Sequence, residues 1–390
     1  MLIVKLNKKI STRIALGHPW VFNNEVQPIT QQYNAGDIVT VHTHDNKFVG
    51  KGYINNKSTI LIRLLSRNKT EEINDVFFFN KINAAWQYRQ QLGYTVNCRL
   101  VFGEADGLPQ LVIDKFGKYF VIQTLAYGID VWKPAIVAAL QQLFTPAGIY
   151  ERNDVPVREL EGLPQQKGFL SAAFDTNIIL TENGLQFAVD IANGQKTGYF
   201  LDQQDNRRAI QHIVRNAHVL GVCTYTGSFE IHAAHYGAAS VTGIDVSQTA
   251  IDFCNKNAAL NNLASKCTFS CVNAFDVLKA WAKAGKQYDV VMLDPPSFAK
   301  SRSALPKALT GYKEINLRGM QLVKPGGYLV TSSCTNLVNT TAFLHTIQQA
   351  ANDAKRTLRQ VTFNAQSADH PVVWGWENTH YLKFLIVQVL

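Results

Sequence analysis

An acid and a thiol stand at the ends of two predicted strands in the C-terminal half of the chain. The acid is Asp294, which ends the apolar run DVVML at residues 289–293 and is followed by Pro295 and Pro296. Each proline fixes φ and lacks a backbone donor, so the strand should end there in a stiff, extended turn. Open α/β sheets bind ligands at the carboxyl ends of their strands, so this turn predicts a binding site. An ordinary exit from a strand into a loop is the alternative.

The thiol is Cys334, which ends the predicted strand TSSC. If that strand lies beside the one that ends at Asp294, both groups can reach the same pocket. A thiol attacks only as a thiolate, and a free cysteine has a pKa of about 8.5, so a neighbour must help it at neutral pH. An isolated cysteine is more often a small buried hydrophobe. The predicted position beside Asp294 favours the reactive thiol.

Two further features indicate a nucleoside cofactor. The loop GVCTYTGSFE after the predicted strand 219–222 lacks G-x-G-x-x-G, which disfavours an NAD-dependent dehydrogenase. Its small residues still predict a tight turn at the start of a helix, with Ser228 as the N-cap; they are Thr224, Thr226, Gly227 and Ser228. The next strand ends in Asp245, whose carboxylate can accept hydrogen bonds from both hydroxyls of a ribose.

The elements that would position these residues alternate between strand and helix. Strands are predicted at residues 219–222, 240–244, 268–272, 290–293, 328–332, 358–363 and 381–389. Such alternation predicts an α/β fold with a mostly parallel, doubly wound sheet of seven strands, in which the turn KPGG introduces the strand at 328. Ahead of the sheet, Asn183-Gly184 predicts a hairpin, and Asp202 is the predicted N-cap of a helix.

The N-terminal part of the chain is predicted to contain two smaller domains. Residues 1–72 hold ten Lys or Arg and five Asp or Glu, and their strand and turn pattern predicts a small basic β barrel of a kind that suits RNA. In it, Trp20 and Phe22 are expected in the core rather than stacked on a base. Residues 73–175 predict a linking helix and an α+β domain with one further helix at 129–144.

Composition narrows the class of protein. The chain has 390 residues, of which 46% are hydrophobic and 17% are charged, as expected for a globular protein of two or three domains. No stretch approaches the roughly 20 apolar residues of a membrane span, and the N-terminus does not resemble a signal peptide, so the cytoplasm is the default location. The six cysteines show no C-x-x-C or zinc spacing, so no metal site is predicted, and Cys267 and Cys271 are expected in the core. The net charge of +9 suits a polyanionic partner.

The order of these motifs resembles a known family. KTGYFLDQ, VCTYTGSF, GIDVS, LDPPSF and SSC together resemble the class I S-adenosylmethionine-dependent methyltransferases, and more narrowly the RlmI type of 23S ribosomal RNA cytosine-5 methyltransferases. GHPWVF, EADGLP and ADHPV extend the resemblance over nearly the whole chain. It implies a PUA domain at 1–72, a central α+β domain at 73–175 and a Rossmann-like methyltransferase domain at 176–390.

The resemblance also implies a cofactor, a partner and residue roles. S-adenosylmethionine would be the cofactor, large-subunit ribosomal RNA the partner, Cys334 the nucleophile and Asp294 the residue that binds the target cytosine. Ser297 stands where many relatives carry a second cysteine, so the base for the last step is not assigned. The implied cofactor-binding residues are Lys196, Thr197, Tyr199, Asp202, Gln203, Tyr225, Thr226, Gly227, Phe229, Asp245, Asn273, which replaces the usual acid, and Asp294.

Two other functions remain open at this stage. A methyltransferase acting on guanine or on an exocyclic nitrogen would also use a DPP turn, but it would need no thiol. A non-catalytic RNA-binding assembly factor would not need the cofactor loop or its acids. Enzymes of this type can be homodimers, although nothing in the sequence requires one.

Overall fold

The computed structural model describes residues 1–299 and 301–390, and its contacts group them into two units. The first unit contains Met1–Ile178, Val189–Leu201 and Ala368–Thr379. The second unit contains Ile179–Ala188, Asp202–Ser367 and His380–Leu390. This grouping differs from the three domains with boundaries at residues 72 and 175, which stay a prediction.

The N-terminal part of the first unit is built on a five-stranded sheet. Its elements are β1 (Ile3–Lys5), α1 (Thr12–Ala15), β2 (Trp20–Val21), β3 (Ile38–His42), β4 (Phe48–Ile54) and β5 (Ile62–Ser66). The strand order is β1-β3-β4-β5-β2, with β1 and β3 parallel. Val39 and Val41 alternate with half-buried neighbours along β3 and pack with Leu64, as expected for a sheet with one buried face.

The two aromatic residues predicted in this core are only half-buried. Trp20 donates from Nε1 to Oε1 of Glu104 (2.7 Å) and meets the His18 ring edge-on at 4.9 Å. The guanidinium of Arg13 lies 4.7 Å from the centre of the Phe22 ring. The core prediction was therefore wrong for both residues, because polar partners hold them at the edge of the core.

The central part of the first unit is a second five-stranded sheet with helices. Its elements are α2 (Asp75–Gln91), β6 (Asn97–Phe102), β7 (Leu111–Phe116), β8 (Tyr119–Thr124), α3 (Tyr127–Val131), α4 (Lys133–Phe144), β9 (Gly148–Asn153) and β10 (Gln166–Phe169), with strand order β10-β9-β8-β7-β6. The single helix predicted over 129–144 is two helices. Pro134 lies in the first turn of α4, where its missing N–H is tolerated, and a continuous helix would lose a hydrogen bond there.

A late segment of the chain completes this unit. The side chain of Arg89 is fully buried, forms an ion pair with Asp106 and donates to the main-chain oxygen of Asp369 (2.7 Å). The backbone N–H of Arg99 donates to Oδ2 of Asp369 (2.8 Å). Asp369 thus contributes an acceptor to a guanidinium 280 positions away in sequence and to a backbone amide 270 positions away.

A hairpin precedes the second large sheet. Strands β11 (Asn177–Glu182) and β12 (Leu185–Asp190) form a two-stranded sheet. Asn183 and Gly184 between them have φ values of 51° and 82°, the left-handed pair that a two-residue hairpin turn requires. The predicted hairpin is confirmed.

The second unit contains the predicted α/β sheet. Its elements are α5 (Gln204–Ala209), β13 (His218–Val222), α6 (Ser228–His235), β14 (Ser240–Asp245), α7 (Gln248–Leu260), β15 (Cys267–Cys271), α8 (Ala274–Lys283), β16 (Tyr288–Leu293), α9 (Leu305–Leu322), β17 (Val323–Ser333), α10 (Thr340–Ala354), β18 (Leu358–Asn364) and β19 (Lys383–Val389). The order is β15-β14-β13-β16-β17-β19-β18. Neighbouring strands are parallel except that β19 runs antiparallel to β17 and β18. The mostly parallel seven-stranded sheet is confirmed.

Two local predictions in this unit were wrong. The residues KPGG lie within β17, where the pairing with β16 jumps from Val323 to Tyr328 and Gly326 has a φ of 83°, so they form an irregularity rather than a turn before the strand. Cys271 is exposed and Cys267 is half-buried, because β15 is the outer strand of the sheet. In the part of the chain that the structure describes, no helix is both long and apolar enough to cross a membrane.

Candidate active site

Asp294 lies where three parallel strands end side by side. Leu293, the last residue of β16, is the register partner of Val222 in β13 and of Thr331 in β17. The backbone N–H of Asp294 continues this ladder by donating to the oxygen of Val222 (3.2 Å). The strand ends there, as predicted, because Pro295 cannot donate to either neighbour.

The carboxylate of Asp294 is half-buried and is held by side chains on two sides. Its Oδ1 accepts a hydrogen bond from the hydroxyl of Ser332 in β17 and another from Nε2 of Gln203 (3.3 Å). Nδ2 of Asn206 in turn donates to Oε1 of Gln203 (2.7 Å), so the amide of Gln203 is fixed at both ends. These bonds position one carboxylate at the edge of the sheet.

Cys334 follows β17 directly and is half-buried. It comes two residues after Ser332, which binds Asp294, so the thiol and the carboxylate belong to the same sheet edge, as predicted. Burial raises the pKa of Tyr312 in α9 to about 12, and a negative charge on Cys334 would act in the same direction. Tyr312 is therefore a neutral hydroxyl at physiological pH.

A buried lysine also lies near this thiol. Lys383 begins β19, and burial lowers the pKa of its ammonium to about 8, while a negative charge on Cys334 would oppose that shift. Its Nζ donates to the main-chain oxygens of Thr335 (2.5 Å) and Tyr381 (2.8 Å). The sequence reading did not identify Lys383.

The loop between β13 and α6 is wound tightly. Cys223, Tyr225 and Gly227 have φ values of 62°, 48° and 78°, all in the left-handed region. Two side chains of α7 bind the loop: Sγ of Cys254 donates to the oxygen of Tyr225 (3.0 Å), and Nδ2 of Asn257 donates to the oxygen of Thr226 (3.0 Å). Helix α7 thereby holds the backbone of this loop in a fixed curve.

Gly227 and Thr226 show how a ligand could enter this curve. A Cβ at Gly227 would lie 3.1 Å from Sγ of Cys254, so a side chain there would crowd the loop as well as strain its φ. Gly227 is also the N-cap of α6, so the prediction of Ser228 as the N-cap was wrong. Oγ1 of Thr226 is buried and has no hydrogen-bond partner among residues 1–299 and 301–390. A buried hydroxyl normally has one, so a polar ligand fits here.

Asp245 ends β14, one strand away from the loop. Its Oδ2 accepts from the backbone N–H of Tyr225 (2.9 Å), and its Oδ1 accepts from that of Ser247 (3.0 Å). Each carboxylate oxygen has a second lone pair, so this half-buried acid can still accept from two hydroxyls. Asp245 can therefore still bind the two hydroxyls of a ribose.

Asn273 is exposed and serves as the N-cap of α8. Its Oδ1 accepts from the backbone N–H of Phe275 (2.9 Å). The oxygen expected to meet an adenine amino group is thus already an acceptor within the chain, with one lone pair left.

Asp202 does not cap a helix, contrary to prediction. It lies in a 3-10 turn, Leu201–Gln203, and the N-cap of α5 is Gln203. Oδ2 of Asp202 accepts from the hydroxyl of Tyr381 (2.6 Å), so its carboxylate ties the turn to the segment ahead of β19 instead.

Four other predicted residues have a structural setting of their own. Phe229 is buried, and its ring stacks on that of Phe384 at 6.0 Å, so it packs in the core beneath the loop. Lys196, Thr197 and Tyr199 belong to the first unit. There, Thr197 donates from Oγ1 to Oδ2 of Asp114 (2.5 Å), and both side chains are buried.

Glu230 is an acid that the sequence analysis did not identify. It is fully buried in α6 against Gly221, where any Cβ would overlap its carboxyl group. Burial raises its pKa to about 8, and the charges of Asp294 and Asp245 add to this rise. Glu230 therefore carries a proton at neutral pH and places no third negative charge beneath the site.

Glu230→Gln should flatten the pH dependence of stability. The folded state keeps the proton up to about pH 8, whereas the unfolded state loses it near pH 4.5, so the wild-type free energy of unfolding should fall as pH rises between these values. Relative to the glutamine variant, we expect a fall on the order of 3–5 kcal/mol at most. Urea unfolding of both proteins at pH 5 and pH 8 measures this difference. If the free energy of unfolding changes equally with pH in the two proteins, Glu230 is ionised in the folded state.

The fold and the site together define a class. A seven-stranded sheet with one antiparallel strand, a tight loop after its central strand β13, and acids after β14 and β16 are the features of a Rossmann-like class I methyltransferase. A crystal structure of a methyltransferase complexed with SAH matches this fold with a TM-score of 0.85 at 19% identity, over 100% of both chains. A SAM-dependent methyltransferase from Streptococcus mutans matches with a TM-score of 0.83 at 20% identity, also over 100% of both chains.

Sequence comparison is more specific than this fold. Residues 167–368 match the model of an S-adenosylmethionine-dependent methyltransferase family, and residues 4–67 match a PUA-like domain. Ribosomal RNA large subunit methyltransferase I of Shewanella amazonensis is 39% identical over 95% of both chains. The protein of the same name from Klebsiella pneumoniae is 37% identical over 96% of this chain and 94% of its own. The chain therefore belongs to the S-adenosylmethionine-dependent methyltransferases, in the family of the ribosomal RNA large subunit methyltransferase I proteins, and its cofactor is S-adenosylmethionine.

Proposed function

We propose that this protein forms 5-methylcytidine in the ribosomal RNA of the large subunit, which is 23S ribosomal RNA in bacteria. The observation that carries the proposal is the pairing of a carboxylate, Asp294, with a thiol, Cys334, at the ends of adjacent strands linked through Ser332. Methylation of a nitrogen needs no thiol, whereas methylation of carbon-5 does. The relatives named as ribosomal RNA large subunit methyltransferases support the substrate class.

The chemistry of cytosine explains why this pair is needed. Carbon-5 of cytosine is a poor nucleophile, but addition of a thiolate to carbon-6 makes carbon-5 electron-rich. S-adenosylmethionine supplies the methyl group. Loss of the carbon-5 proton then re-forms the double bond and expels the thiolate with its electron pair. Asp294, held by Ser332 and Gln203, would accept a hydrogen bond from the exocyclic amine of the base.

We assign the cofactor to the curve formed by the loop after β13. Tyr225, Thr226 and Gly227 would surround its methionine part, and the orphaned Oγ1 of Thr226 supports a polar ligand there. Asp245 would hold the ribose, Asn273 would lie near the adenine, and Phe229 would support the loop from the core. The other proposed contacts are Lys196, Thr197, Tyr199, Asp202, Gln203 and Asp294.

The RNA contacts proposed for the N-terminal domain rest on charge and family. The PUA-like domain matched at residues 4–67 falls within the basic region 1–72. Phosphate contacts by such a surface give affinity that falls with salt and carries little sequence information. The target cytosine must leave any base stack to reach Cys334. We propose the cytoplasm as the location, and the proposal needs no homodimer.

The product of the reaction tests the proposed function. Large-subunit ribosomal RNA without its natural methyl groups would be incubated with the wild-type protein and labelled S-adenosylmethionine, digested to nucleosides and separated. Labelled 5-methylcytidine is the expected product. A labelled guanosine or an N-methylated nucleoside would replace the proposal by the other methyltransferase function. Small-subunit RNA would be tested in parallel. If the protein binds the cofactor but transfers no methyl group to large-subunit RNA, the proposal that this RNA is the substrate would be overturned.

A further inference from the structure

The lysine beside the thiol is unusual for its position. Lys383 is 2% exposed and begins the strand KFLIVQV, whose other residues are mostly apolar and buried. Burying an ammonium group costs several kcal/mol unless charges and hydrogen bonds compensate it. An apolar residue would serve the sheet as well, so the charge calls for a chemical reason.

Strand register and hydrogen bonds place this ammonium next to the residues on both sides of Cys334. In the antiparallel pairing of β17 with β19, Lys383 is the register partner of Ser333, the residue just before the thiol. Its Nζ donates to the main-chain oxygen of Thr335, the residue just after the thiol. A second N–H donates to the oxygen of Tyr381. An ammonium has three N–H donors, and the third has no hydrogen-bond partner in the described part of the chain.

Among residues 1–299 and 301–390, three other titratable groups lie near the thiol or near Lys383, and none of the three supplies a positive charge. Asp294, reached through Ser332, carries a negative charge that opposes a thiolate. Tyr312 from α9 stays neutral because its pKa is raised. Burial, with a contribution from the charge of Lys383, lowers the pKa of His380, which favours its neutral form at physiological pH. Among these groups, Lys383 is the cation that can balance a thiolate.

We propose that Lys383 is a positioning residue that stabilises the thiolate of Cys334 through its ammonium charge. The thiol proton passes to solvent, the sulfur keeps its electron pair, and the lysine stays protonated beside it. The same charge steadies the sulfur when the thiolate leaves carbon-6. The significance of this pair for catalysis rests on the proposed function, but the ionisation of the thiol does not.

The pH dependence of alkylation at Cys334 tests the inference. The full chain, without RNA or cofactor, would be treated with iodoacetamide from pH 5.5 to 9.5, and modification at Cys334 would be followed by peptide mass spectrometry. In the wild type we expect a midpoint at least about one pH unit below the 8.5 of an ordinary thiol. In Lys383→Met the midpoint should rise to 8.5 or above, which reduces the alkylation rate at pH 7 about tenfold.

Lys383→Arg is the matched control, because it keeps the charge in the same place. Its midpoint should stay near that of the wild type. Thermal melting would first show that the wild type, Lys383→Met and Lys383→Arg are all folded. A purely structural role for Lys383 would not predict that the midpoint follows the charge among three folded proteins. Equal midpoints in the wild type and Lys383→Met would overturn the inference. If the methionine variant does not fold, the wild type alone decides, since a midpoint at or above 8.5 also excludes a stabilised thiolate.

The outcome is separable from that of the proposed function. A lowered midpoint that depends on Lys383, with no 5-methylcytidine formed, would leave the ion pair standing and remove the proposed reaction. Formation of 5-methylcytidine with no shift in Lys383→Met would remove only the role of the lysine.

Discussion

Cys334→Ala should abolish methyl transfer to ribosomal RNA, with a loss in rate of at least about 10³-fold, or ~4 kcal/mol of activation free energy. The expectation follows from the chemistry, because without the thiol carbon-5 is never activated. The alanine removes only one atom from a half-buried position, so the fold should remain. Initial rates with labelled S-adenosylmethionine, together with calorimetric binding of the cofactor, would separate a chemical defect from a binding defect.

Cys271→Ala provides the matched control for this substitution. Cys271 is an exposed thiol on the outer strand β15 of the same sheet, and its Sγ donates to the oxygen of Val246 (3.3 Å). Its removal should leave the rate within about twofold of the wild type, as for most exposed sites. Retained activity in Cys334→Ala would make that cysteine a packing residue and would favour nitrogen or guanine methylation.

Asp294→Asn should lower kcat/KM for methyl transfer about 10²-fold, or ~2.7 kcal/mol. Asparagine has the same size, and its oxygen can still accept from Ser332 and Gln203, so the edge of the sheet should keep its shape. The second oxygen, however, becomes an NH₂ donor that would face the donor amine of cytosine. A loss in kcat/KM for RNA that is much larger than the loss in cofactor affinity would agree with this role.

Asp289→Asn is the companion control, because it makes the same change in the same strand. Asp289 lies near the opposite end of β16, where its Oδ1 pairs with Nζ of Lys324 (2.7 Å) and its Oδ2 accepts from the backbone of His218 (2.8 Å). Such a partly exposed ion pair contributes at most about 1 kcal/mol to stability and should leave turnover unchanged. Equal losses in the two variants would mean that Asp294 acts through stability rather than through the substrate.

The sequence allowed prediction of the features that depend on local pattern. The seven-stranded sheet follows from alternating apolar runs and helical stretches, and the hairpin follows from Asn183-Gly184, because few other pairs tolerate left-handed φ. The adjacency of Asp294 and Cys334 followed from assuming neighbouring strands in an open sheet. Strand β10 was missed because QKGF alternates only weakly and contains a glycine.

The features that were missed arise from pairings that are remote in sequence. Ser332 matters because β17 lies beside β16, and Lys383 because β19 inserts antiparallel next to β17. A lysine at the head of an otherwise apolar strand was the available signal for Lys383. The proton on Glu230 depends on the acids around it, which no local pattern reveals. Trp20 was misplaced since its partner, Glu104, lies 84 residues away.

The way the chain alternates between its two units has a consequence for how such a protein can evolve. The three segments of the first unit and the three of the second are joined at five points along the sequence. A gene fragment ending at Ile178 would lack Asp369, and with it one acceptor of the buried Arg89 and one acceptor of the backbone N–H of Arg99. A single recombination between related genes near residue 175 would give the first unit a late segment from a different parent. We therefore expect the two units to be inherited together rather than exchanged as separate modules.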